Sequence, residues 1–466
     1  MMNDQSLTPL HLEFLTSVVG EEHVSIKDSD LEQHSKDESF HDASRPAVVV
    51  WPGSAAEISS ILRYANQQHL PVTPWGAGTS LEGNPIPLFG GIVLDTLRMD
   101  KIFQVRAEDF QVDVQPGLRY KEMNAALAKH GLFFAPDPGA NASIGGMIAN
   151  NAAGTRTLRY GTTKDNVLRL EVVLPSGEII RTGTRSKKTS SGYDLVHLFI
   201  GSEGTLGVVT EATLRLAPLP EKFSAAIASF TTLEAATRVV SSIIGTGLTP
   251  AALEFLDPAT VRAINATGEF ELRECPTLLM EFHSATDAGL KEELKEVEIL
   301  CKDGGCLSFD AGLGRSERDR LWRARHKTYD ILVRSNPGSA YLIADVAVPV
   351  SEYSRLVAAA DQALRERDLK GYLVGHAGDG NLHPLIPYTP GDSASYAIAL
   401  AADEKIVETA IAMGGTATGE HGVGIGKRRF MILEHGSSLN TMRAIKATLD
   451  PNGILNPGKI FEPDEH

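Results

Sequence analysis

Short blocks of apolar and polar residues alternate along the first half of the chain. Residues 48–51 (Val-Val-Val-Trp) predict a strand, and residues 54–57 (Ser-Ala-Ala-Glu) have the capping pattern that starts a helix. A helix that begins at Tyr120 should end at Gly131, because a glycine commonly follows the last helical turn. Residues 170–180 predict two strands joined by a tight Pro-Ser-Gly turn.

The pattern changes near residue 221, after Pro218 and Pro220, to longer amphipathic helices that alternate with strands. This alternation, without a long parallel run, predicts an α+β sheet with helices on one face. The predicted helices cover residues 233–244, 290–301, 316–333, 351–367 and 397–413, and the predicted strands cover residues 224–230, 252–256, 278–283, 341–348 and 371–375. We therefore divide the chain into a first domain (1–220), a second domain (221–415) and a turn-rich C-terminal segment (416–466) that returns to the first.

The charge and the hydropathy of the chain limit its partners. The 59 acidic residues outnumber the 44 basic residues, and the formal charge of −15 argues against nucleic acid as a partner. No apolar run approaches the roughly 18 residues that a transmembrane helix needs. The acidic N-terminus resembles neither a signal peptide nor a transit peptide. We expect a cytoplasmic protein and leave open a peripheral contact with the inner membrane.

The stretch 71–83 ends in a turn that holds three glycines and two hydroxyl residues, Thr79 and Ser80, directly after a short apolar run. Gly76 and Gly78 let successive N–H groups turn into one concavity, and the hydroxyls add donors, which suits a pyrophosphate. The common dinucleotide motif would need glycine in place of Leu81, and a Walker-type phosphate loop would need a lysine, so neither motif is present. An ordinary glycine-rich surface loop is the alternative for this stretch alone.

A second glycine-rich turn lies between two histidines, and a carboxylate follows on a later loop. His376 and His383 flank the turn, and Glu420 and His421 come after an intervening predicted helix. Two imidazoles and one carboxylate are a common ligand set for a divalent metal, and a neighbouring histidine can serve as a base. Capping histidines in a loop are the alternative, because the spacing of the two histidines is not a signature.

Two arginines, Arg323 and Arg325, lie beside Trp322 on a predicted helix. Arginine binds a carboxylate through two parallel hydrogen bonds, so either residue could hold an acidic substrate. A solvated position on the helix surface is the alternative for each.

The glycine clusters, the histidine loop and the C-terminal turns occur in a fixed order with several smaller motifs. These motifs are residues 74–83, 136–139, 144–146, 150–154, 160–161, 165–168, 192–195, 201–207, 375–383, 419–422 and 454–459. From about residue 42 to 461 the chain resembles the flavin-dependent 2-hydroxy acid dehydrogenases, the group that contains D-lactate dehydrogenase and the glycolate oxidase D subunit. The resemblance implies an α+β fold with a two-part FAD-binding domain of the vanillyl-alcohol-oxidase (PCMH) type and an α+β cap domain with an antiparallel sheet that binds the substrate.

The resemblance also implies which residues hold FAD, which is bound without a covalent link in this subgroup. The glycine-rich turn would bind the pyrophosphate, and small residues elsewhere would let the backbone lie along the cofactor. The implied FAD-binding residues are Pro74, Trp75, Gly76, Ala77, Gly78, Thr79, Ser80, Gly83, Pro138, Gly139, Ser143, Gly145, Gly146, Asn150, Gly154, Tyr160, Gly161, Glu203, Gly204, Val209 and Asn456.

The chemistry implied by the resemblance is the oxidation of a D-2-hydroxy acid to the 2-oxo acid. A divalent metal, Zn or Mn, bound by His376, His383 and Glu420 would acidify the substrate hydroxyl. His421 would take the hydroxyl proton while flavin N5 takes the hydride from Cα. Arg325 matches the family's Leu-Trp-x-x-Arg pattern and would hold the substrate carboxylate, whereas Arg323 has no such match.

The identity of the hydroxy acid rests on two departures from hydroxyglutarate-oxidising relatives. Those enzymes have polar residues, Asn and Lys, at the positions of Leu385 and Ile343 in this chain. Burial of a second carboxylate against two aliphatic side chains is costly, so dicarboxylates should be rejected. We expect D-lactate or a related aliphatic hydroxy acid, with glycolate or D-2-hydroxyglutarate as alternative substrates.

Three other functions compete with a dehydrogenase as explanations of these motifs. They are an oxidase that passes electrons to oxygen, a non-catalytic flavin or metal subunit of an electron-transfer complex, and a metal-dependent phosphohydrolase, which would leave the glycine clusters unexplained. For a dehydrogenase the electron acceptor would be a quinone, a cytochrome or an electron-transfer flavoprotein, and a homodimer is left open.

Overall fold

The computed structural model describes residues 7–313, 322, 325 and 327–462. It divides the chain into two compact units. Unit 1 comprises Met1–Ala153, Gly161–Leu219 and Glu420–His466, and unit 2 comprises Gly154–Tyr160 and Pro220–Gly419. The chain therefore leaves unit 1 twice, once for a heptapeptide and once for the long second half.

Unit 1 begins with a mixed sheet whose core is formed by short runs of valine, isoleucine and leucine. In order across this sheet, its strands among the described residues are Val24–Ser25, Val48–Val50, Ile92–Asp95 and Val72–Trp75. The last three are parallel. The helix Ala55–Gln68 packs its buried face on this sheet, and Ser54 caps it by accepting from the Glu57 N–H at 3.2 Å, as the sequence predicts.

A second, antiparallel sheet follows in unit 1. In order, its strands among the described residues are Ile102–Arg106, Gln111–Val114, Val208–Arg215, Val167–Val173 and Ile179–Gly183. The last two form the predicted hairpin. The helix Tyr120–Leu127 continues as a 3₁₀ turn to His130, and Gly131 follows with φ +67°, which confirms the predicted end.

The remaining described elements of unit 1 are short. They are the strand pair Leu132–Phe133 and Ala217–Pro218, the helices Pro9–Val19, Asp28–Gln33, Ile144–Asn150, Thr163–Asn166, Leu195–Phe199, Met431–His435 and Ser438–Leu449, and the 3₁₀ turns Glu21–His23, Ala107–Asp109 and Arg428–Phe430. The C-terminal turns pack on the first sheet, where the N–H of Val72 donates to the carbonyl of Ile454 at 2.8 Å.

Unit 2 is built on an antiparallel sheet that the described residues form with eight strands. In order, seven of these are Cys306–Leu313, Lys222–Phe230, Thr277–Ser284, Ala252–Leu256, Tyr372–His376, Asn381–Tyr388 and Ala340–Ile343. The eighth, Val346–Ala347, also pairs with Asn381–Tyr388. Its described helices are Thr157–Tyr160, Leu233–Gly245, Pro258–Asn265, Asp287–Asp303, Thr328–Ser335, Tyr353–Arg365 and Ser393–Ala412, with 3₁₀ turns at Val350–Glu352 and Ala377–Asp379.

The prediction that helices cover one face of this sheet is wrong. Phe255 meets Tyr353 of one helix with ring centroids 6.5 Å apart. The next residue, Leu256, points to the opposite face, where it shares a buried cluster with Val261 and Leu332 of two other helices. Both faces of the strand are apolar here, so both need a helix to exclude water.

The predicted strand 341–348 is interrupted in the structure. Asp345 separates Ala340–Ile343 from Val346–Ala347, because its backbone pairs with Thr418 and its carbonyl accepts from the N–H of Gly419. Half of the predicted helix 316–333, including Arg323, lies outside the described residues. Among the described helices, none is long and apolar enough to cross a membrane.

Candidate active site

The glycine-rich turn of unit 1 directly follows the strand Val72–Trp75. Gly78 has φ +72°, and a side chain at Gly76 would collide with Ser143 Oγ. Within the described residues, the backbone N–H groups of residues 76–80 donate to no protein acceptor. A half-buried turn with unused donors and no room for side chains fits the pyrophosphate of FAD.

Other predicted FAD residues of unit 1 have clear packing roles of their own. A Cβ at Gly145 would lie 2.7 Å from Pro116, and one at Gly204 would lie 3.0 Å from Pro74. These glycines are therefore required by the fold, and their contact with FAD stays a prediction. Contact with FAD also stays a prediction for the other predicted FAD residues placed in unit 1, which are Trp75, Ala77, Thr79, Ser80, Gly83, Pro138, Gly139, Gly146, Gly161 and Val209.

Glu203 is the centre of a buried network in unit 1. Its carboxylate accepts from the N–H groups of Val423 and Gly424 at 2.6 and 2.9 Å, and from the Asn84 amide at 2.7 Å. Burial raises the pKa of Glu203, because these neutral donors only partly replace water. The carboxylate thus joins the glycine-rich segment 201–207 to the segment that follows His421.

Asn456 completes this network from the C-terminal turns. Its side-chain amide donates to the carbonyls of Asn84 and Glu203 at 2.9 and 2.7 Å. Its Oδ1 accepts from Lys459, and burial lowers the pKa of that lysine to about 7. The sequence predicted that Asn456 reaches FAD. In the structure its side chain connects two loops, and a cofactor contact stays a prediction.

The dipeptide Glu420-His421 opens the last segment of unit 1. The Asn150 amide donates to the His421 carbonyl at 2.9 Å, and His421 Nε2 lies 4.0 Å from Glu420 Oε1. Two residues later Val423 is held by Glu203. Asn150, predicted to bind FAD, therefore fixes the backbone of the predicted base.

His376 and His383 belong to unit 2 and lie on two neighbouring strands. Val374 is paired with His383 in the register of the hairpin, and the two imidazole centroids are 5.1 Å apart. Both histidines are buried. The hairpin brings together two side chains that are seven positions apart in sequence, and this pair is compatible with a shared metal.

Glu254 is a member of this site that sequence reasoning missed. Its fully buried carboxylate lies 2.8 and 2.9 Å from His376 Nδ1 and 2.6 Å from Arg325 Nε. Burial alone would raise the pKa of Glu254, but the imidazole and the guanidinium outweigh it and lower the pKa. The signal was a glutamate inside the apolar sequence Ala-Leu-Glu-Phe-Leu.

Asp345 is a second missed carboxylate and lies beside His383. Its Oδ1 is 3.5 Å from His383 Nδ1 and accepts from the Asn381 amide at 2.9 Å, and its Oδ2 accepts from the Thr418 hydroxyl at 2.7 Å. The Asp345 carbonyl also accepts from the N–H of Gly419 at 2.8 Å, and Glu420 is the next residue of the chain. For His376 the bond from Nδ1 to Glu254 leaves Nε2 as the metal-binding nitrogen, and His383 has a buried carboxylate 3.5 Å from its own Nδ1.

Arg325 lies in unit 2 and is largely buried, with 13% of its side chain exposed. Among the described residues, its guanidinium has no acceptor other than Glu254. The Nε–H bond fixes the plane of the guanidinium and leaves the other N–H groups for a ligand carboxylate.

Ile343 and Leu385 lie directly opposite each other on paired strands of unit 2. Leu385 is two residues from His383 on the same strand, so both side chains point to the same face of the sheet. This face therefore has an aliphatic pair beside the histidines.

Two predicted FAD residues, Gly154 and Tyr160, belong to unit 2. The Tyr160 hydroxyl is bound to His283 Nδ1 at 2.8 Å, and Arg159 donates to the His283 carbonyl at 2.7 Å. His283 is also bound to Glu281. The heptapeptide is thus fixed to the sheet by a buried polar cluster, and a contact of Tyr160 with FAD stays a prediction.

Comparison with protein families and with curated proteins points to flavoenzymes. A family described as "FAD binding domain" matches residues 46–183, and one described as "FAD linked oxidases, C-terminal domain" matches residues 219–460. A probable mitochondrial D-lactate dehydrogenase of Danio rerio is 39% identical over 96% of this chain and 90% of its own length. The glycolate oxidase subunit GlcD of Bacillus subtilis is 37% identical over 97% of both chains.

Solved structures resemble the fold at low sequence identity. The 4-ethylphenol oxidase of Gulosibacter chungangensis covers 98% of this chain, and 97% of its own length matches, at 18% identity and a TM-score of 0.80. A p-cresol methylhydroxylase covers 98% of both chains at 17% identity and a TM-score of 0.77. These structures confirm the predicted FAD-binding fold.

Proposed function

The chain belongs to the family of FAD-linked D-lactate dehydrogenases and glycolate oxidase D subunits, and from this premise we propose that it oxidises a D-2-hydroxy acid, D-lactate or a close aliphatic analogue, to the 2-oxo acid. The observation that carries the proposal is the placement of His376 and Arg325 on one buried carboxylate, Glu254, in unit 2. A cation for the substrate carboxylate and an imidazole for a metal are thereby held on the same face.

The roles of the residues follow from their chemistry. FAD supplies the acceptor for the hydride, and a divalent metal, Zn or Mn, supplies Lewis acidity at the substrate hydroxyl. His376, His383 and Glu420 would be the metal ligands, and Arg325 binds the substrate carboxylate. His421 accepts the hydroxyl proton, so that the oxidised carbon becomes a neutral ketone rather than a protonated one.

The substrate class rests on the aliphatic pair Ile343 and Leu385. Leu385 is only 3% exposed, so a second carboxylate beside it would lose its water without gaining a partner. A methyl or ethyl group at Cα fits such a surface. D-lactate and D-2-hydroxybutyrate should therefore be better substrates than D-2-hydroxyglutarate.

A glycolate oxidase or glycolate dehydrogenase subunit is the second candidate. It is favoured by the Bacillus relative, which matches along 97% of both chains and is named as a glycolate oxidase subunit. The electron acceptor is proposed to be a cytochrome, a quinone or an electron-transfer flavoprotein, and the relative of Arabidopsis thaliana carries "cytochrome" in its name. A cytoplasmic location, a peripheral contact with the inner membrane and a homodimer remain predictions.

The test is an anaerobic spectrum of the purified holoenzyme. D-lactate should bleach the flavin bands, chelation should abolish bleaching while FAD stays bound, and Zn or Mn should restore it. Denaturation should release the FAD, because it is bound without a covalent link. Comparison of kcat/KM for D-lactate, glycolate and D-2-hydroxyglutarate then decides the substrate. Full activity in a verified metal-free preparation would contradict the metal role, and a preference for hydroxyglutarate would contradict the aliphatic pocket.

A further inference from the structure

Glu254 occupies a position where a charged residue is expensive. It lies in the middle of the strand Ala252–Leu256, between Leu253 and Phe255, and its side chain is fully buried. An ionised carboxylate in such a place needs partners that replace its water. Here the two partners are an imidazole and a guanidinium.

The two partners share one oxygen of the carboxylate. Glu254 Oε2 lies 2.6 Å from Arg325 Nε and 2.9 Å from His376 Nδ1, and Oε1 lies 2.8 Å from the same Nδ1. A carboxylate can only accept, so Nδ1 of His376 carries the hydrogen. The lone pair of the neutral ring is then on Nε2, the nitrogen that faces away from Glu254.

We propose that Glu254 is a positioning residue that sets both the metal-binding tautomer of His376 and the plane of the substrate-binding guanidinium of Arg325. This inference rests on the proposed function, since it takes His376 as a ligand and Arg325 as the clamp for the substrate carboxylate. Glu254 itself touches neither the substrate nor the reacting atoms. One side chain thus controls both metal binding by His376 and binding of the substrate carboxylate by Arg325, although these two residues belong to separate sequence motifs.

A purely structural role for Glu254 predicts a different result, and the chain contains a matched control. Glu281 is a buried carboxylate on the neighbouring strand, opposite Ala252 in the register, so it lies on the same face as Glu254. It is bound to His283. If any buried carboxylate on this face only stabilises the sheet, then Glu254→Gln and Glu281→Gln should behave alike.

The experiment uses the FAD-loaded holoenzyme of both variants. Equilibrium dialysis against Zn²⁺ or Mn²⁺ measures metal affinity without turnover, and steady-state kinetics with D-lactate at saturating metal separates KM from kcat. Glu254→Gln should weaken metal binding about 10- to 100-fold, the usual effect of losing the partner of a ligating histidine. It should also raise KM about tenfold, because the arginine loses a charged hydrogen bond. Glu281→Gln should leave both within about twofold.

Two outcomes overturn the inference. One is a Glu254→Gln variant whose metal affinity and KM stay within about twofold of wild type, and the other is an equal loss in Glu281→Gln. Glu254→Asp covers the case in which the glutamine variant does not fold, because the shorter side chain keeps the charge but cannot reach both partners. Parity of the aspartate variant with wild type overturns the inference as well. If the wild-type enzyme binds no metal, the proposed metal site is contradicted and not this inference. The KM values of the variants then test the effect of Glu254 on Arg325.

Discussion

Glu203 of unit 1 and Glu254 of unit 2 are both buried, but they have different kinds of partner. Glu203 accepts from two backbone N–H groups and a side-chain amide, whereas Glu254 accepts from an imidazole and a guanidinium. Burial raises the pKa of Glu203, while the cationic partners lower the pKa of Glu254 despite its burial. A buried carboxylate with neutral donors joins loops, and one with ionisable donors orients groups that can bind ligands.

The largest expected effect concerns His421, which lies just before the residues that Glu203 binds, Val423 and Gly424. It tests whether this segment has a catalytic role as well as a structural one. His421→Ala should lower kcat about a hundredfold or more, because a general base typically contributes that much. Metal content and thermal stability should stay near the wild-type values. His435→Ala, at a partly exposed histidine in the same unit, is the control and should leave kcat unchanged. Loss of metal in step with activity would make His421 a ligand and refute its role as base.

The second effect concerns the network of Glu203. Glu203→Gln places an N–H₂ group where a carboxylate oxygen now accepts, and at least one buried N–H of Val423 or Gly424 loses its acceptor. An unsatisfied buried donor costs about 1–3 kcal/mol, so the melting temperature should fall. Differential scanning calorimetry measures this fall, with the exposed Glu178→Gln as control. An unchanged melting temperature would show that the hydrogen bonds of Glu203 to Val423, Gly424 and Asn84 do not stabilise the fold.

The smallest effect sharpens the comparison with a third carboxylate, Asp257 of unit 2. Asp257 caps the helix Pro258–Asn265 by accepting from the Thr260 N–H at 2.8 Å, and burial raises its pKa from 3.8 to about 6. Between pH 3.8 and about pH 6, the Asp257 carboxyl is ionised in the unfolded chain but still protonated in the folded one. A rise in pH through this range therefore favours unfolding. Asp257→Asn keeps a cap and should stabilise the protein above pH 6 by roughly 2–3 kcal/mol, with no gain below pH 4.

Thermal unfolding at pH 4 and pH 7.5 checks this prediction. The exposed cap substitution Asp392→Asn shows what the loss of a carboxylate does at a helix start on the surface. A destabilised Asp257→Asn variant at pH 7.5 would mean that the donors around Asp257 stabilise its ionised carboxylate. Asp257 would then resemble Glu254, whose pKa is lowered, rather than Glu203, whose pKa is raised.

Sequence reasoning succeeded where a local pattern carries the information. The Ser54 cap, the end of a helix at Gly131, the hairpin 170–180 and the family motifs all depend on residues close in sequence, and the structure confirms the elements and the fold class. It failed where a residue's role depends on distant partners. Glu254 is separated from His376 by 122 positions, so its role is set by the strand pairing and not by its neighbours.

The same limit explains the error about the sheet of unit 2. The strand Ala252–Leu256 carries large apolar side chains on both faces, but the sequence does not say which helices return to which face. Asp345 likewise resembled one more residue of a strand, and only the structure shows that its backbone pairs with Thr418 and Gly419 there. The metal and FAD contacts predicted for single residues remain predictions.

The heptapeptide Gly154–Tyr160 makes unit 2 a module that cannot be exchanged in one piece. A gene fragment for residues 220–419 would encode the sheet without Arg159 and Tyr160, and His283 would lose two of its hydrogen bonds at the sheet. Recombination that swaps this module between relatives would therefore need two coordinated crossovers, or would have to retain the heptapeptide of the host. A family built in this way should diversify its substrates by point substitution, at positions such as Ile343 and Leu385, more readily than by shuffling whole domains.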